Sequence, residues 1–216
     1  MAVVESFVTN NDIDDEVMVF PPFTALEGNE RNVTIGVQNA YPAQNGAFTG
    51  EITLDQLGEF NISTLLIGHS ERRHVLGESQ EQIAKKFQFF AQHGFKIVYC
   101  IGEPLEIREA GNDALMNYID AQLVGVDLSY PNLVVAYEPV WAIGTGLTPT
   151  NHDIELIHGA LREKTTAPLL YGGSVKVSNA DEIMSIDNVD GVLVGSGALV
   201  ASDFCQMIAI AAQKNK

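Results

Sequence analysis

Seven short runs of consecutive apolar residues, rich in β-branched side chains, recur along the chain, each followed by a stretch with helical spacing. They are "VMVF" (17–20), "VTIGVQN" (33–39), "TLLIGHS" (64–70), "KIVYCIGE" (96–103), "LVVAYEPV" (133–140), "PLLYGGSV" (168–175) and "GVLVGSG" (191–197). Most are apolar on successive residues rather than on alternate ones. That pattern marks strands buried on both faces, as in a parallel sheet covered by helices. Strand and helix alternate throughout, which predicts an α/β fold built from right-handed βαβ units. A closed barrel of such units has eight strands, and about seven are legible here. No linker, low-complexity tract or shift in composition divides residues 1–216, so a single barrel domain is expected.

The helices between the runs carry their own punctuation. "SQEQIAKKFQFFAQHG" has apolar residues at helical spacing and a glycine stop at Gly94. "PTNHDIELIHGALREKT" offers Thr150 or Asn151 as N-cap and basic residues in its last turn. "LVASDFCQMIAIAAQKNK" reads as an amphipathic helix with a basic end. The opening "MAVVESFVTNNDIDDEV" is the exception to the rhythm. Read as a strand, "VVESFV" would be joined to "VMVF" by only "TNNDIDDE", too short for a parallel crossover of a dozen residues or more. An amphipathic helix with Val4, Phe7 and Val8 on one face is the better reading. The chain then begins inside a helix, with the strand expected before that helix absent.

Charge narrows the function. The formal net charge of −16 argues against nucleic acid as a partner, because phosphate backbones need clustered Lys and Arg. A small anion can still be held by backbone N–H groups, helix N-termini or a placed cation. No run of apolar residues approaches the ~18 of a membrane span, and no basic and apolar leader resembles a signal peptide. The two cysteines, Cys100 and Cys205, lie in apolar runs. A reduced, cytoplasmic protein is expected.

In parallel barrels the site lies at the C-terminal ends of the strands. The polar residues there are Gln38 and Asn39; His69, Ser70 and Glu71; Cys100 and Glu103; Glu138; Gly172, Gly173 and Ser174; and Gly195, Ser196 and Gly197. A His and a Glu on different strand ends can face one another across the mouth as an acid/base pair. The two glycine-rich ends suit a phosphate. Standing alone, Glu138 could be a carboxylate capping the next helix, and His69 a satisfied core histidine. The eleven-residue stretch "AYEPVWAIGTG" and the flanking "SERR" weigh against both. His74, His93, His152 and His158 read as surface or helix residues, Cys100 as packing behind the site, and Glu103 as a structural acid.

Together "IGHSERR", "GAFTGEI", "AYEPVWAIGTG" and "YGGSV" resemble the triosephosphate isomerase family, from about residue 17 to the end of the chain. The resemblance implies the TIM (β/α)8 barrel and the interconversion of D-glyceraldehyde 3-phosphate and dihydroxyacetone phosphate, in glycolysis and gluconeogenesis, with no cofactor and no metal. It implies Glu138 as general base and His69 as the electrophile that polarises the carbonyl. This family is itself a standard example of such tuning, with a glutamate base, a neutral histidine of lowered pKa and a closing loop; these roles come with the resemblance. "PVWAIGTG" would be the lid, hinged at Pro139 and near Gly144 to Gly146, with the Gly144 N–H reaching the phosphate. Ser174 and the amides around Gly195 and Ser196 would complete the phosphate cradle. Family members usually carry two glycines where Gly195 and Ser196 stand here, but the contact is through backbone. Glu71 matches the family's second glutamate at the site, and Arg72 would pair with Glu51. A homodimer is implied through the loop around Thr49.

The family's first strand ends in a motif with an asparagine and a lysine, and this sequence has no Lys or Arg before Arg31. Without that cation the chain is expected to be severely impaired, since charge stabilisation that strengthens in the transition state is lost. Two rival readings stay open. One is another phosphate-binding barrel enzyme acting on indole or ribose phosphates. The other is a truncated, catalytically impaired phosphate-binding fragment of the same fold.

Overall fold

The computed structural model describes residues 1–28, 32–143 and 147–214. Helix α1 (Ala2–Asn10) leads into β1 (Met18–Val19) and β2 (Thr34–Ile35). Then come α2 (Leu54–Glu59), β3 (Thr64–Ile67), α3 (Ser70–His74), α4 (Gln80–Gln92), β4 (Lys96–Ile101), α5 (Leu105–Glu109), α6 (Asn112–Leu123) and β5 (Leu133–Tyr137). The rest comprises α7 (Asn151–Arg162), β6 (Leu169–Tyr171), α8 (Val177–Ile183), β7 (Gly191–Val192) and α9 (Ala201–Lys214). All seven apolar runs contain a strand, and the opening segment is a helix with Val4 and Val8 buried, as its periodicity predicts.

The strands pair in parallel in two sets, β1 with β2 and β3 through β7 in order. A parallel bridge from Val37 to Leu65 joins the two sets. Among the described residues nothing pairs with the outer edge of β1 or of β7. Near β1 and β2, α1 packs on α9: Val4 and Val8 meet Cys205 and Ile208, with Val17 and Val33 in the same cluster. No helix among the described residues is long and apolar enough to cross a membrane.

Strand parity divides the core into two layers. Leu65, Ile67, Ile97, Tyr99, Ile101, Val135, Tyr137, Leu169 and Tyr171 belong to the large cluster that also takes in the helices. The residues between them, Leu66, Val98, Cys100, Val134 and Ala136, form a separate inner cluster with Met18, Phe20, Leu170 and Leu193 against it. Successive side chains of a strand point to opposite faces. Both faces here meet apolar surroundings, which is why the strands read as unbroken apolar runs. Full burial of one such Leu or Ile side chain contributes roughly 1.5–3 kcal/mol.

The helices start where their caps say. Ser79 Oγ accepts from the Gln82 N–H, and the Gln82 side chain accepts from the Ser79 N–H at 2.9 Å, a reciprocal capping box on α4. Thr150 and Asp153 repeat the arrangement on α7. Each cap satisfies N–H groups that a helix end otherwise leaves open. Ser79→Ala and Thr150→Ala are therefore each expected to lower the unfolding free energy by about 1 kcal/mol, and the double variant by the sum. Urea denaturation measures this. Wild-type midpoints in both single variants would contradict the assignment.

Candidate active site

The end of β3 turns sharply. Gly68 has φ +77°, and a Cβ there would lie 2.9 Å from the Cys100 carbonyl oxygen, so the position suits glycine on two counts. The turn sets His69 as the N-cap of α3. Its Nδ1 accepts from the Glu71 N–H at 3.4 Å, and its Nε2 lies 3.0 Å from Glu138 Oε1. With Nδ1 an acceptor, the ring proton belongs on Nε2, and Nε2–H donates to the carboxylate.

Glu138 follows β5 and continues its parity. Val134 and Ala136 face the inner layer, so Glu138 does too. Its N–H donates to the Ile101 carbonyl at 2.7 Å, and the Gly172 N–H donates to the Tyr137 carbonyl at 2.7 Å, which extends the parallel ladder past the strand. The fit on both sides requires glycine. A Cβ on Gly102 would stand 1.7 Å from the Glu138 carbonyl oxygen, and one on Gly172 would stand 2.8 Å from Glu138 Cγ. The second carboxylate oxygen, Oε2, accepts from the Ser70 N–H at 3.0 Å. Glu138 is buried, while His69 keeps about a quarter of its side chain exposed.

The proton affinity of His69 runs opposite to the lowering that the family resemblance implies. Burial lowers it, but the Glu138 hydrogen bond and charge, helped by the Glu71 charge, outweigh burial and the Arg72 charge. The pKa therefore lies above the ordinary 6.5. The difference has a local cause, because both Glu138 oxygens are engaged with this corner of the site.

The other expected residues divide. Glu71 is mostly exposed, with its carboxylate 3.9 Å from His69 Nδ1. Ser174 lies beside the segment after Glu138, and its Oγ donates to the Ala142 carbonyl at 2.7 Å. Gly195 and Ser196 stand together and exposed, with Gly195 the N-cap of a short 3-10 turn, Ser196–Ala198. Gly144, whose N–H is the expected phosphate contact of the lid, lies outside the described residues, as do Thr145 and Gly146.

Arg72 does not pair with Glu51. Its Nε and Nη2 donate to Glu78 at 2.8 and 2.6 Å, and Glu78 also binds Lys86, whose Nζ reaches Asn39. Glu78 lies close along the chain, just past the end of α3, and it collects both cations in one place. Thr49 is exposed in its loop.

Cys100 packs behind the site, as expected: it is fully buried in the apolar inner cluster, close to Glu138. Burial, then the Glu138 charge, pushes its thiol well up, so it is no nucleophile. His74, His93 and His152 are exposed, whereas His158 on α7 is fully buried, with Nδ1 2.9 Å from the Asn188 carbonyl oxygen.

Glu103 has a larger part than the sequence suggests. It is fully buried, and its Oε1 accepts from Tyr137 OH at 3.1 Å and from Trp141 Nε1 at 2.9 Å. Its main-chain carbonyl accepts from the Val140 N–H. Parity carries the signal that could have found this. Tyr99 and Ile101 face the helices, and Glu103 continues that series toward outward-facing Tyr137, whereas Glu138 continues the inward one.

A buried carboxylate bonded to an imidazole, both at strand ends and with the Gly172 turn packed against the carboxylate's side chain, can move a proton at a small bound substrate. Known proteins agree with that chemistry. The family model for triosephosphate isomerase matches residues 1–211. A triosephosphate isomerase of Sulfurimonas denitrificans is 61% identical over 204 residues, covering 94% of this chain and 85% of that protein. Those of Wolinella succinogenes and Helicobacter pylori (strain Shi470) are 50% and 53% identical, covering 95% and 90% of this chain and 89% and 84% of theirs. With the family model spanning nearly all of it and relatives this similar, the chain belongs to the triosephosphate isomerase family.

Proposed function

We propose that the chain interconverts D-glyceraldehyde 3-phosphate and dihydroxyacetone phosphate, with Glu138 as the base and His69 as the proton donor to the carbonyl. The observation that carries this reading is the 3.0 Å contact between His69 Nε2 and Glu138 Oε1 at the strand ends. Glu138 takes a proton from the carbon beside the carbonyl and returns it to the neighbouring carbon. His69 Nε2–H donates to the carbonyl oxygen as the enediolate forms, and the same nitrogen recovers a proton from the adjacent hydroxyl. Ser174, Gly195 and Ser196 hold the phosphate, the last two through backbone N–H groups.

The pair must separate for this to happen. Glu138 Oε1 and Oε2 are bonded to His69 and to the Ser70 N–H, so the base gives up at least one of these bonds to reach carbon. Its departure removes what raises the His69 pKa. Burial then keeps the imidazole neutral, the form that serves as an electrophile next to an enediolate.

We also assign a single domain, a cytoplasmic location and a homodimer. Exposed Thr49 and Phe48 in one loop, with exposed Val75 and Leu76 after α3, supply a surface for the second copy. Sedimentation as a monomer at micromolar concentration would contradict the dimer.

Turnover of glyceraldehyde 3-phosphate by the purified chain tests the reaction. Glu138→Gln is expected to lower kcat by about 10²–10⁴, the usual contribution of a positioned acid or base. Equal rates in the variant and the wild type would exclude Glu138 as the base. Phosphoglycolate binding with no turnover in the wild type would favour the phosphate-binding fragment instead.

The protonation argument has its own test. The His69 ring is expected to titrate above 6.5 in the free protein. In Glu138→Gln, with the carboxylate charge gone, burial should bring it below that value. Ring-proton NMR reads both, and a His69 pKa that stays put in the variant would remove Glu138 as the cause.

A further inference from the structure

β4 outruns β3. Their register ends at Ile67 opposite Tyr99, and the chain of β3 then turns off at Gly68. Main-chain groups of β4 face alternate sides. The Lys96 N–H donates to the Ser63 carbonyl on the β3 side, and the Ile97 N–H donates to the Asn132 carbonyl on the β5 side. By that alternation the Cys100 carbonyl and both polar groups of Gly102 face the β3 side, beyond the end of its ladder. Both residues are buried, so these groups need other partners. The Cys100 carbonyl accepts from Arg73 Nη2 at 3.1 Å. Gly102 is served by a single side chain: its N–H donates to Gln122 Oε1 at 3.0 Å, and its carbonyl accepts from Gln122 Nε2 at 2.8 Å.

Gln122 lies on the buried face of α6 with Leu115, Ile119 and Leu123. Packing alone would be served as well by an apolar side chain there, and a buried amide is tolerated only when its donor and acceptor are both engaged. The main-chain carbonyl of Gln122 accepts from Tyr99 OH at 2.6 Å, which ties this turn of the helix to β4 a second time.

We propose that Gln122 is a positioning residue for Glu138: its amide takes the place of a neighbouring strand at the end of β4 and so fixes the Ile101–Gly102 peptide, against which Glu138 rests. That peptide group is bonded at both ends. Its carbonyl, on Ile101, accepts from the Glu138 N–H at 2.7 Å, and its N–H, on Gly102, donates to Gln122. Gly102 also meets Glu138 directly, since a Cβ on it would stand 1.7 Å from the Glu138 carbonyl oxygen. Movement of this peptide therefore moves the main chain of Glu138, and displacement of a reacting group by about 1 Å can cost up to a hundredfold. The kinetic consequence rests on the isomerase reading, and the structural one does not.

Amide hydrogen exchange reads the link without any turnover. In the wild type, the side-chain NH2 protons of Gln122 are expected to exchange far more slowly than those of an exposed glutamine such as Gln92. Gln122→Met keeps the length of the side chain and loses both bonds. The Glu138 amide is then expected to exchange about tenfold faster relative to the Val135 amide, which is bonded to Pro168 on the other side of β5. The same variant is expected to lower kcat about ten- to a hundredfold, with a smaller change in KM. Ile119→Val, about one turn earlier on α6, is the control for a general loosening of the helix. Wild-type exchange at Glu138 in Gln122→Met would overturn the proposal, and so would equal acceleration at Val135 or the same change in Ile119→Val. Should Gln122→Met fold poorly, the wild type decides, because Gln122 side-chain protons that exchange as fast as those of Gln92 would overturn the proposal too. A wild-type protein without turnover would count against the isomerase reading, and the exchange at Glu138 would still decide the role of Gln122.

Discussion

The site depends on a parallel ladder that stays in register past the end of β5. The Glu138 N–H bonds to Ile101 and the Gly172 N–H bonds to Tyr137, so the residue that would act as base is held by main chain on both sides. Register decides direction. A slip of one residue would exchange the two faces of the strand, sending Glu138 outward and Tyr137 into the inner layer. The glycines on either side enforce the same outcome sterically, since a Cβ on Gly102 would overlap the Glu138 carbonyl. Precision at the mouth is thus a property of three adjacent strands rather than of a loop.

Much of this is legible in the residues. Runs such as "KIVYCIGE" and "LVVAYEPV" are apolar on both faces because both faces are buried, one against helices and one in the inner layer. The opening segment reads as a helix because Val4 and Val8 repeat at four residues, and both are buried. His69 and Glu138 stand out by their place at strand ends, and the structure brings them into contact. Short elements are harder. α3 and α5 have five residues each, too few for a period to show.

Pairings between distant residues are the least legible. Arg72 could reach a carboxylate on either of two loops, and spacing cannot choose between Glu51 and Glu78. The structure gives Glu78, which Arg72 shares with Lys86. The proton affinity of His69 escapes the sequence for a related reason. Burial alone lowers it, and only the actual distance to Glu138 shows that the carboxylate prevails in this arrangement.

The docking of α1 on α9 has a different kind of consequence. Among the described residues strand pairing joins only neighbours in sequence, so each pairing closes a short loop. The contact of Val4 and Val8 with Cys205 and Ile208 instead joins segments separated by nearly the whole chain. Loop-closure entropy grows only with the logarithm of length, about 0.6 kcal/mol for each doubling. A few buried aliphatic side chains are therefore enough to hold the two segments together once the strands between them are ordered. The same contact would be hard to form early, when those strands are still free to wander. Chain entropy thus makes the clasp an effect of the assembled sheet rather than its nucleus.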